Sequence, residues 1–150
     1  MADFREITRD DTEAVLAMMA AYHTEDGLEF DALVSRRGLE MIAAGTPLAL
    51  LWLIEEGGKS VDYLCVTAGF SLEVGGGDFF LDEIYVVPDA RGRGLGSQAL
   101  DFAEGAARDF GARRICLEVT RQNKRARKLY ADIGFEEHDR HLMSKPLSGD

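Results

Sequence analysis

The chain has 150 residues, of which 46% are hydrophobic and 29% are charged, so its composition predicts one folded domain over residues 1–150 and excludes a largely disordered chain. The 27 acidic residues outnumber the 17 basic ones and give a formal net charge of −10. This charge argues against nucleic acid and anionic membranes as partners and mildly favours cationic molecules.

The first part of the chain is predicted to contain a short strand and two helices. The strand spans Phe4 to Ile7, and Asp10 or Asp11 can cap a helix whose apolar residues recur at helical spacing. A second helix occupies the segment from Asp31 to Gly45. The acidic loop between the helices, from His23 to Phe30, lies where a variable substrate lid is expected.

Three extended runs follow and predict an antiparallel meander. The first run, LALLWLI, begins after Pro47, and a Gly-Gly turn within Glu55–Lys59 leads to the second run, VDYLCVTAGFSLEV. The glycines at 75–77 lead into the third run, FFLDEIYVV, which ends at Pro88. Cys65 and Cys116 fall inside extended apolar runs and are expected to be free thiols.

The rest of the chain alternates helices with strands. A helix follows Gly94 and ends at Gly111, the strand RRICLEVT comes next, and a second helix spans Asn123 to Ile133. The apolar face of the first of these helices comprises Leu95, Ala99, Phe102, Ala103, Ala106 and Phe110. From Phe135 the chain is predicted to return to a strand that pairs with LMSKPL, and the tail Ser148–Asp150 is expected to fray.

The segment Arg91-Gly92-Arg93-Gly94-Leu95-Gly96-Ser97 joins a predicted strand to the start of a helix. Unpaired backbone N–H groups and the positive end of the helix dipole meet there, so the turn favours a phosphate or pyrophosphate. A dinucleotide-binding fingerprint fails because its sixth place holds Ser97, and a P-loop fails because no Gly-Lys-Ser/Thr follows. A turn that merely packs a helix against a strand remains the alternative.

Two motifs in the expected order resemble those of the GNAT superfamily of acetyl-CoA-dependent N-acetyltransferases. The first is Arg91-x-x-Gly94-x-Gly96, directly after Ile84-Tyr85-Val86-Val87-Pro88. The second is Asn123-x-x-Ala126-x-x-Leu129-Tyr130-x-x-x-Gly134-Phe135. The resemblance covers about Leu81 to Phe135 and implies an α/β fold, with a mixed, mostly antiparallel sheet of about six to seven strands flanked by about four helices.

The resemblance also implies where acetyl-CoA binds as a co-substrate. The turn amides from Gly92 to Ser97 would hold the pyrophosphate beside Arg91 and Arg93, and the strand edge from Ile84 to Val87 would hydrogen-bond the pantetheine arm. Asn123 would contact the pantetheine, with Lys124, Arg125 and Ala126 near the cofactor. The basic cluster from Arg121 to Lys128 either contacts the 3′-phosphate or is a solvated helix face. No metal is expected.

Acetylation of an amine requires a proton acceptor, because a free alkylamine is almost wholly protonated at pH 7. Asp82 and Glu83 are the candidates, but adjacent strand residues point to opposite faces, so at most one faces the substrate unless a bulge intervenes. The family pattern slightly favours Asp82, and Glu83 remains open. Tyr130 matches the family tyrosine that protonates the leaving thiolate, while packing against Phe135 is its structural alternative.

The predicted function is direct acetyl transfer from acetyl-CoA to a primary amine, most simply a small molecule, in a ternary complex. Acetylation of a peptide or protein amino-terminus and a non-catalytic acyl-CoA-binding domain are the alternatives. The histidines His23, His138 and His141 lack metal-ligand spacing and are interpreted as surface or packing residues. The charged N-terminus lacks a signal-peptide pattern and no run is long enough to cross a bilayer, which predicts a cytoplasmic protein. The superfamily's habits suggest a homodimer.

Overall fold

The computed structural model describes residues 3–147, so the predicted fraying of Ser148–Asp150 lies outside the described residues. The strands are β1 (Arg5–Glu6), β2 (Ala49–Glu56), β3 (Lys59–Thr67), β4 (Phe70–Ser71), β5 (Gly76–Val86) and β6 (Ala112–Leu117). The helices are α1 (Thr12–Glu25), α2 (Ala32–Ala43), α3 (Leu95–Asp109) and α4 (Lys124–Asp132). The chain forms two compact units, one through Glu118 and one from Val119, and α4 belongs to the second.

The first unit is built on one mixed sheet of six strands. Strand order is β1-β2-β3-β5-β4, with every neighbour antiparallel, and β6 pairs with β5 in parallel. The antiparallel meander of β2, β3 and β5 and the parallel crossover through α3 are therefore as predicted. The predicted fold class, a mixed and mostly antiparallel α/β sheet, is confirmed.

The two faces of the sheet are covered by different helices. On one face, Val15 and Met18 of α1 and Leu39 of α2 pack with Leu53 of β2 and Tyr63 of β3. The opposite face packs against α3, since the ring of Trp52 on β2 meets Phe102 of α3 edge-on at 5.1 Å between ring centroids. Alternation along each strand therefore sends side chains to the α1–α2 face and to the α3 face in turn.

Several predicted boundaries near the N-terminus and in the meander are wrong. The loop expected from His23 is still helix as far as Glu25. The run VDYLCVTAGFSLEV is not one strand, since β3 ends at Thr67 and β4 spans Phe70–Ser71. Between them, Gly69 lies so close to β5 that a Cβ would be 2.8 Å from the carbonyl oxygen of Asp78. Asp11 precedes α1, but its carboxylate accepts from the Thr8 N–H and from Arg5 and does not cap that helix.

The predictions for the helix ends and the C-terminal strands need correction as well. Phe110 is exposed, because it is the C-cap of α3 and has left the apolar face of that helix. Strand β6 ends at Leu117 rather than at Thr120. The N–H of Phe135 bonds to the Tyr130 carbonyl at 2.9 Å after Gly134, at φ 108°, so Phe135 closes the end of α4 and does not begin a strand. Residues 135–147 contain no strand.

Candidate active site

A β-bulge lies at the acid pair on β5. In the antiparallel ladder, Cys65 of β3 pairs with Glu83 and Val66 pairs with Leu81, so Asp82 is an extra residue without a partner in the ladder. This bulge is the exception that allows two adjacent acids to escape strict alternation. Asp82 is exposed, and its negative charge contributes to the raised pKa of both Glu83 and Cys65. Asp82 and Glu83 are therefore close enough to affect each other's ionisation.

Glu83 points to the α1–α2 face, where the buried Tyr63 holds it. The Tyr63 hydroxyl donates to Glu83 Oε1 at 2.7 Å, and the Glu83 side chain remains 20% exposed. Burial raises the pKa of Glu83, an effect that the Tyr63 hydrogen bond opposes. Glu83 is thus an oriented carboxyl group with raised proton affinity that solvent can still reach.

His23 lies beside Glu83, which the sequence did not indicate. Its Nε2 is 3.8 Å from Glu83 Oε2, and its Nδ1 is 3.0 Å from the backbone carbonyl oxygen of Glu29. The ring contacts Tyr22 and Phe30 edge-on at centroid distances of 5.3 and 5.2 Å. The prediction of a packing histidine is therefore confirmed, and the contact with Glu83 is the feature that was missed.

Strand β5 has a free edge beyond the acid pair. The parallel ladder between β5 and β6 ends at Leu81 and Leu117, whereas β3 stays paired on the other edge of β5 as far as Val86. Backbone groups on the β6 side from Ile84 to Val86 therefore have no strand partner in the first unit. Of these groups, the Val86 carbonyl accepts from Arg91 Nε at 2.9 Å.

The glycine-rich turn that follows β5 is built as a cradle of backbone amides, which we call the amide cradle (residues 91–97). Gly92 and Gly94 have φ values of 80° and 79°, a region that costs other residues about 1–2 kcal/mol. Gly94 is the N-cap of α3 and makes no side-chain cap, so the first-turn amides of Leu95, Gly96 and Ser97 are left for a ligand.

Both arginines of the amide cradle are bound to acids from other elements. Arg91 donates to Glu25 Oε1 at 2.8 Å, and Glu25 also accepts from the Tyr85 hydroxyl at 2.5 Å. Arg93 makes a two-pronged contact with Glu56, at 2.6 and 3.0 Å. Glu25 therefore connects α1 to the end of β5.

The second unit carries the other predicted site residues on α4. Asn123 caps the helix by accepting from the Ala126 N–H at 3.1 Å, a structural role beside its predicted contact with pantetheine. The ring of Tyr130 meets Phe135 at 5.9 Å, and burial raises the pKa of the Tyr130 hydroxyl. Lys124 and Arg125 follow the cap at the start of the helix, and neither forms an ion pair among residues 3–147.

The remaining chemistry-bearing groups show no metal centre or disulfide. Among residues 3–147 no three His, Cys, Asp or Glu side chains come together as metal ligands. Both cysteines are free, and burial raises the pKa of the Cys65 thiol to about 12, which makes it a poor nucleophile. Over the same residues, the longest helices are too short or too polar to span a membrane.

A sequence profile of the acetyltransferase (GNAT) family matches residues 3–135, which include β5, the amide cradle and α4. The chain belongs to this family. The match confirms the family that the two motifs predicted.

Individual relatives agree with this assignment. The uncharacterized N-acetyltransferase YycN of Bacillus subtilis (strain 168) is 46% identical over 70 residues, which cover 47% of this chain and 41% of that protein. The chain therefore matches less than half the length of that relative. The structure of an integron cassette protein, HFX_CASS3, from the mobile metagenome of Cole Harbour Salt Marsh superposes with a TM-score of 0.82 at 31% identity, covering 98% of this chain and 91% of that one.

A more distant relation supports the fold alone. The aminoglycoside N-acetyltransferase AAC(6')-Iy, solved in complex with CoA, has a TM-score of 0.81 at 16% identity, over 97% of this chain and 95% of its own. The fold of this chain is thus one on which another protein binds CoA.

Proposed function

We propose that this protein transfers an acetyl group from acetyl-CoA to a primary amine, by direct attack in a ternary complex. The observation that carries the proposal is the arrangement along β5, where an oriented acid, a free strand edge and the amide cradle follow one another from Glu83 to Ser97. Each part serves one requirement of the reaction: a proton acceptor, a seat for the pantetheine arm, and an anion site for the pyrophosphate.

Acetyl-CoA fits the groups that the first unit offers. Free amides at the start of α3 favour the pyrophosphate, because partial positive charges converge there and glycine lets the backbone approach closely. The open edge of β5 offers hydrogen bonds to the pantetheine amides, as an added strand would use them. Arg91 and Arg93 lie at the same turn and supply positive charge even while each is paired with an acid.

The acceptor nitrogen must lose two protons, and the departing thiolate must gain one. The ammonium loses its first proton to Glu83, the neutral nitrogen attacks the thioester carbonyl, the carbon–sulfur bond breaks, and the second N–H proton of the adduct replaces the proton given to the thiolate. Glu83 suits the first task better than Asp82, because the Tyr63 hydroxyl holds it in place and burial raises its pKa. Tyr130 is proposed to protonate the departing thiolate.

A small cationic amine is the proposed acceptor. The formal charge of −10 and the two carboxylates at the bulge favour a positively charged substrate. The aminoglycoside acetyltransferase with the same fold acts on such a class, which supports the choice at the level of fold.

An acceptor screen tests the proposal. Acetyl-CoA would be incubated with polyamines, amino acids, aminoglycosides and peptides, and release of free CoA would be measured with the wild type and with Glu83→Gln. Amine-dependent release that Glu83→Gln abolishes supports the proposal. Acetyl-CoA binding without amine-dependent release from any acceptor would contradict it and favour a binding domain, and release with peptides alone would favour amino-terminal acetylation.

The roles of the amide cradle and Tyr130 are tested separately. Gly94→Val is expected to weaken acetyl-CoA binding about tenfold or more, because φ is 79° and a side chain enters the cradle. Gly105→Ala, in the middle of α3 with open space around it, is the matched control. Tyr130→Phe is expected to lower kcat, and full turnover of this variant at every pH would remove the assigned role.

A further inference from the structure

The contact between His23 and Glu83 goes beyond the proposed roles of the acid pair. We propose that His23 is a proton-relay residue, which takes from Glu83 the proton that Glu83 has removed from the acceptor ammonium. The inference rests on the proposed function and adds a group from α1 to it. The acceptor touches Glu83, and His23 acts through Glu83.

The tautomer of His23 is set by its other hydrogen bond. Nδ1 lies 3.0 Å from the backbone carbonyl oxygen of Glu29, and a carbonyl can only accept, so Nδ1 carries the hydrogen. In the neutral ring, Nε2 is then a bare acceptor. Nε2 is buried and has no hydrogen-bond partner among the described residues. Burying an unpaired polar atom costs free energy, so this nitrogen is a candidate for a functional role.

A second acceptor lies close to that nitrogen. Nε2 lies 3.8 Å from Glu83 Oε2, longer than a hydrogen bond, while Glu83 Oε1 is held at 2.7 Å by the Tyr63 hydroxyl. Two acceptors that face one another attract only when a proton lies between them. A small rotation of either side chain closes the gap once Glu83 is protonated.

Glu83 and His23 differ in their exposure to solvent, which suits them to different steps of proton transfer. Glu83 remains 20% exposed and can meet an ammonium, whereas Nε2 of His23 is buried beside Glu83. One N–H bond of the ammonium breaks as an O–H bond forms on Glu83, and this O–H bond breaks as Nε2–H forms. The amine is then neutral, Glu83 is again a carboxylate, and the imidazolium it faces holds the proton until product leaves.

The surroundings of the pair determine which other groups can titrate beside it. The titratable or charged side chains around it are Tyr22 and Glu25 of α1, Tyr63 and Cys65 of β3, Asp82 and Tyr85 of β5, and Arg91 against Glu25. The raised pKa values of Tyr63 and Cys65 keep both protonated, and hydrogen bonds from Tyr85 and Arg91 lower the pKa of Glu25. Asp82 is the neighbour whose ionisation needs a control.

The first test compares the pH dependence of kcat in the wild type and in His23→Gln, using acetyl-CoA and the fastest amine of the acceptor screen. We expect kcat at neutral pH to fall about tenfold and the acidic limb of the kcat profile to move upward, since the imidazole lowers the pKa of Glu83 and its loss leaves that carboxyl protonated to higher pH. The KM for acetyl-CoA should change less than about twofold, because the amide cradle does not involve His23. The comparison is repeated in an Asp82→Asn background.

His141→Gln, at an exposed position of the second unit, is the matched control, and its kcat should show the same pH dependence as that of the wild type. An active His23→Gln enzyme with an unmoved limb would overturn the relay, even if its activity were lower, because a packing role does not set the pH dependence. If the wild type binds acetyl-CoA but acetylates none of the amines, the proposed function fails instead.

A second measurement keeps the inference testable if His23→Gln does not fold. In ¹⁵N-histidine-labelled wild-type protein at pH 8, we expect the His23 ring to show protonated Nδ1 and unprotonated Nε2. Assignment follows from His138→Gln and His141→Gln, which remove the other two histidine signals. A ring protonated at Nε2 would overturn the relay, because it would then have no free lone pair for the proton of Glu83.

Discussion

Two carboxyl groups with raised pKa values occupy the same sheet, one partly exposed and one fully buried, and their surroundings differ. Glu83 of β5 faces α1 and α2, accepts a hydrogen bond from Tyr63, lies close to His23 and keeps contact with solvent. Asp62 of β3 pairs across the sheet with Ile54 and Val86 on the face covered by α3, and its exposure is 0%. Neither oxygen of Asp62 has a hydrogen-bond partner among the described residues.

Burial raises the pKa of both carboxyl groups, and to about 7 for Asp62. A raised pKa therefore does not by itself identify a catalytic acid, although such shifts concentrate at functional sites. The Tyr63 hydroxyl orients Glu83, which solvent can reach, whereas Asp62 is fully buried and out of reach of a substrate. The comparison predicts that Glu83 supports activity and that Asp62 reduces stability.

The largest expected effect is that of Glu83→Gln on turnover. Loss of the proton acceptor should lower kcat about a hundredfold or more, while the affinity for acetyl-CoA stays within about twofold. Steady-state kinetics and calorimetric titration of acetyl-CoA measure the two quantities. The control is Glu40→Gln, which changes an exposed glutamate on α2. An equal loss of kcat in both variants would show that the effect is not specific to Glu83.

Asp62→Val is expected to raise stability and leave activity intact. The change replaces a buried carboxyl that has no partner with an apolar side chain, so the free energy of unfolding should rise by about 4 kcal/mol at pH 8. Urea unfolding measures the gain. A variant that loses most of its activity while remaining folded would show that the comparison between the two acids is wrong.

The pH dependence of that gain follows from the raised pKa of Asp62. The folded state holds the proton up to about pH 7, while the unfolded chain releases it near pH 4. The unfolded state binds fewer protons between these values, so Asp62 makes stability fall as pH rises through this window. The stability difference between Asp62→Val and the wild type should grow from pH 4 to pH 7 and then level off.

Tyr63→Phe is expected to have a smaller effect on turnover than loss of Glu83. The hydroxyl orients Glu83 and opposes the rise of its pKa, so its removal should lower kcat about tenfold and move the acidic limb of the kcat profile upward. The full pH profile measures both changes. A limb that moves downward would show that Tyr63 does not stabilise the ionised form of Glu83.

The smallest expected effect on turnover is that of Asp82→Asn. The charge of Asp82 raises the pKa of Glu83, so its removal should move the acidic limb slightly downward, with kcat reduced about threefold. This shift is opposite in sign to that of Tyr63→Phe. A loss of kcat as large as that of Glu83→Gln would transfer the proton-accepting role to Asp82.

Much of the first unit could be predicted from local sequence patterns. The hairpin of β2 and β3, the start of α3 after Gly94 and the cap of α2 at Asp31 depend on residues close together in the chain. The C-terminal strand could not be predicted, because the apolar spacing after Phe135 resembles a strand while Gly134 and Phe135 close the end of α4. Local hydrogen bonds at the helix end outweighed the pattern.

By itself, the sequence determined the family, the position of the amide cradle and the two acids of which one is proposed as proton acceptor. Each of these depends on a short motif whose chemistry lies in its own residues and backbone. Only the tertiary structure decided how the acids differ, because the bulge at Asp82, the hydroxyl of Tyr63 and the ring of His23 reach Glu83 through strand pairing and helix packing. Contacts between residues far apart in the chain form when the common core is buried. The spacing of residues within a short segment therefore does not predict them.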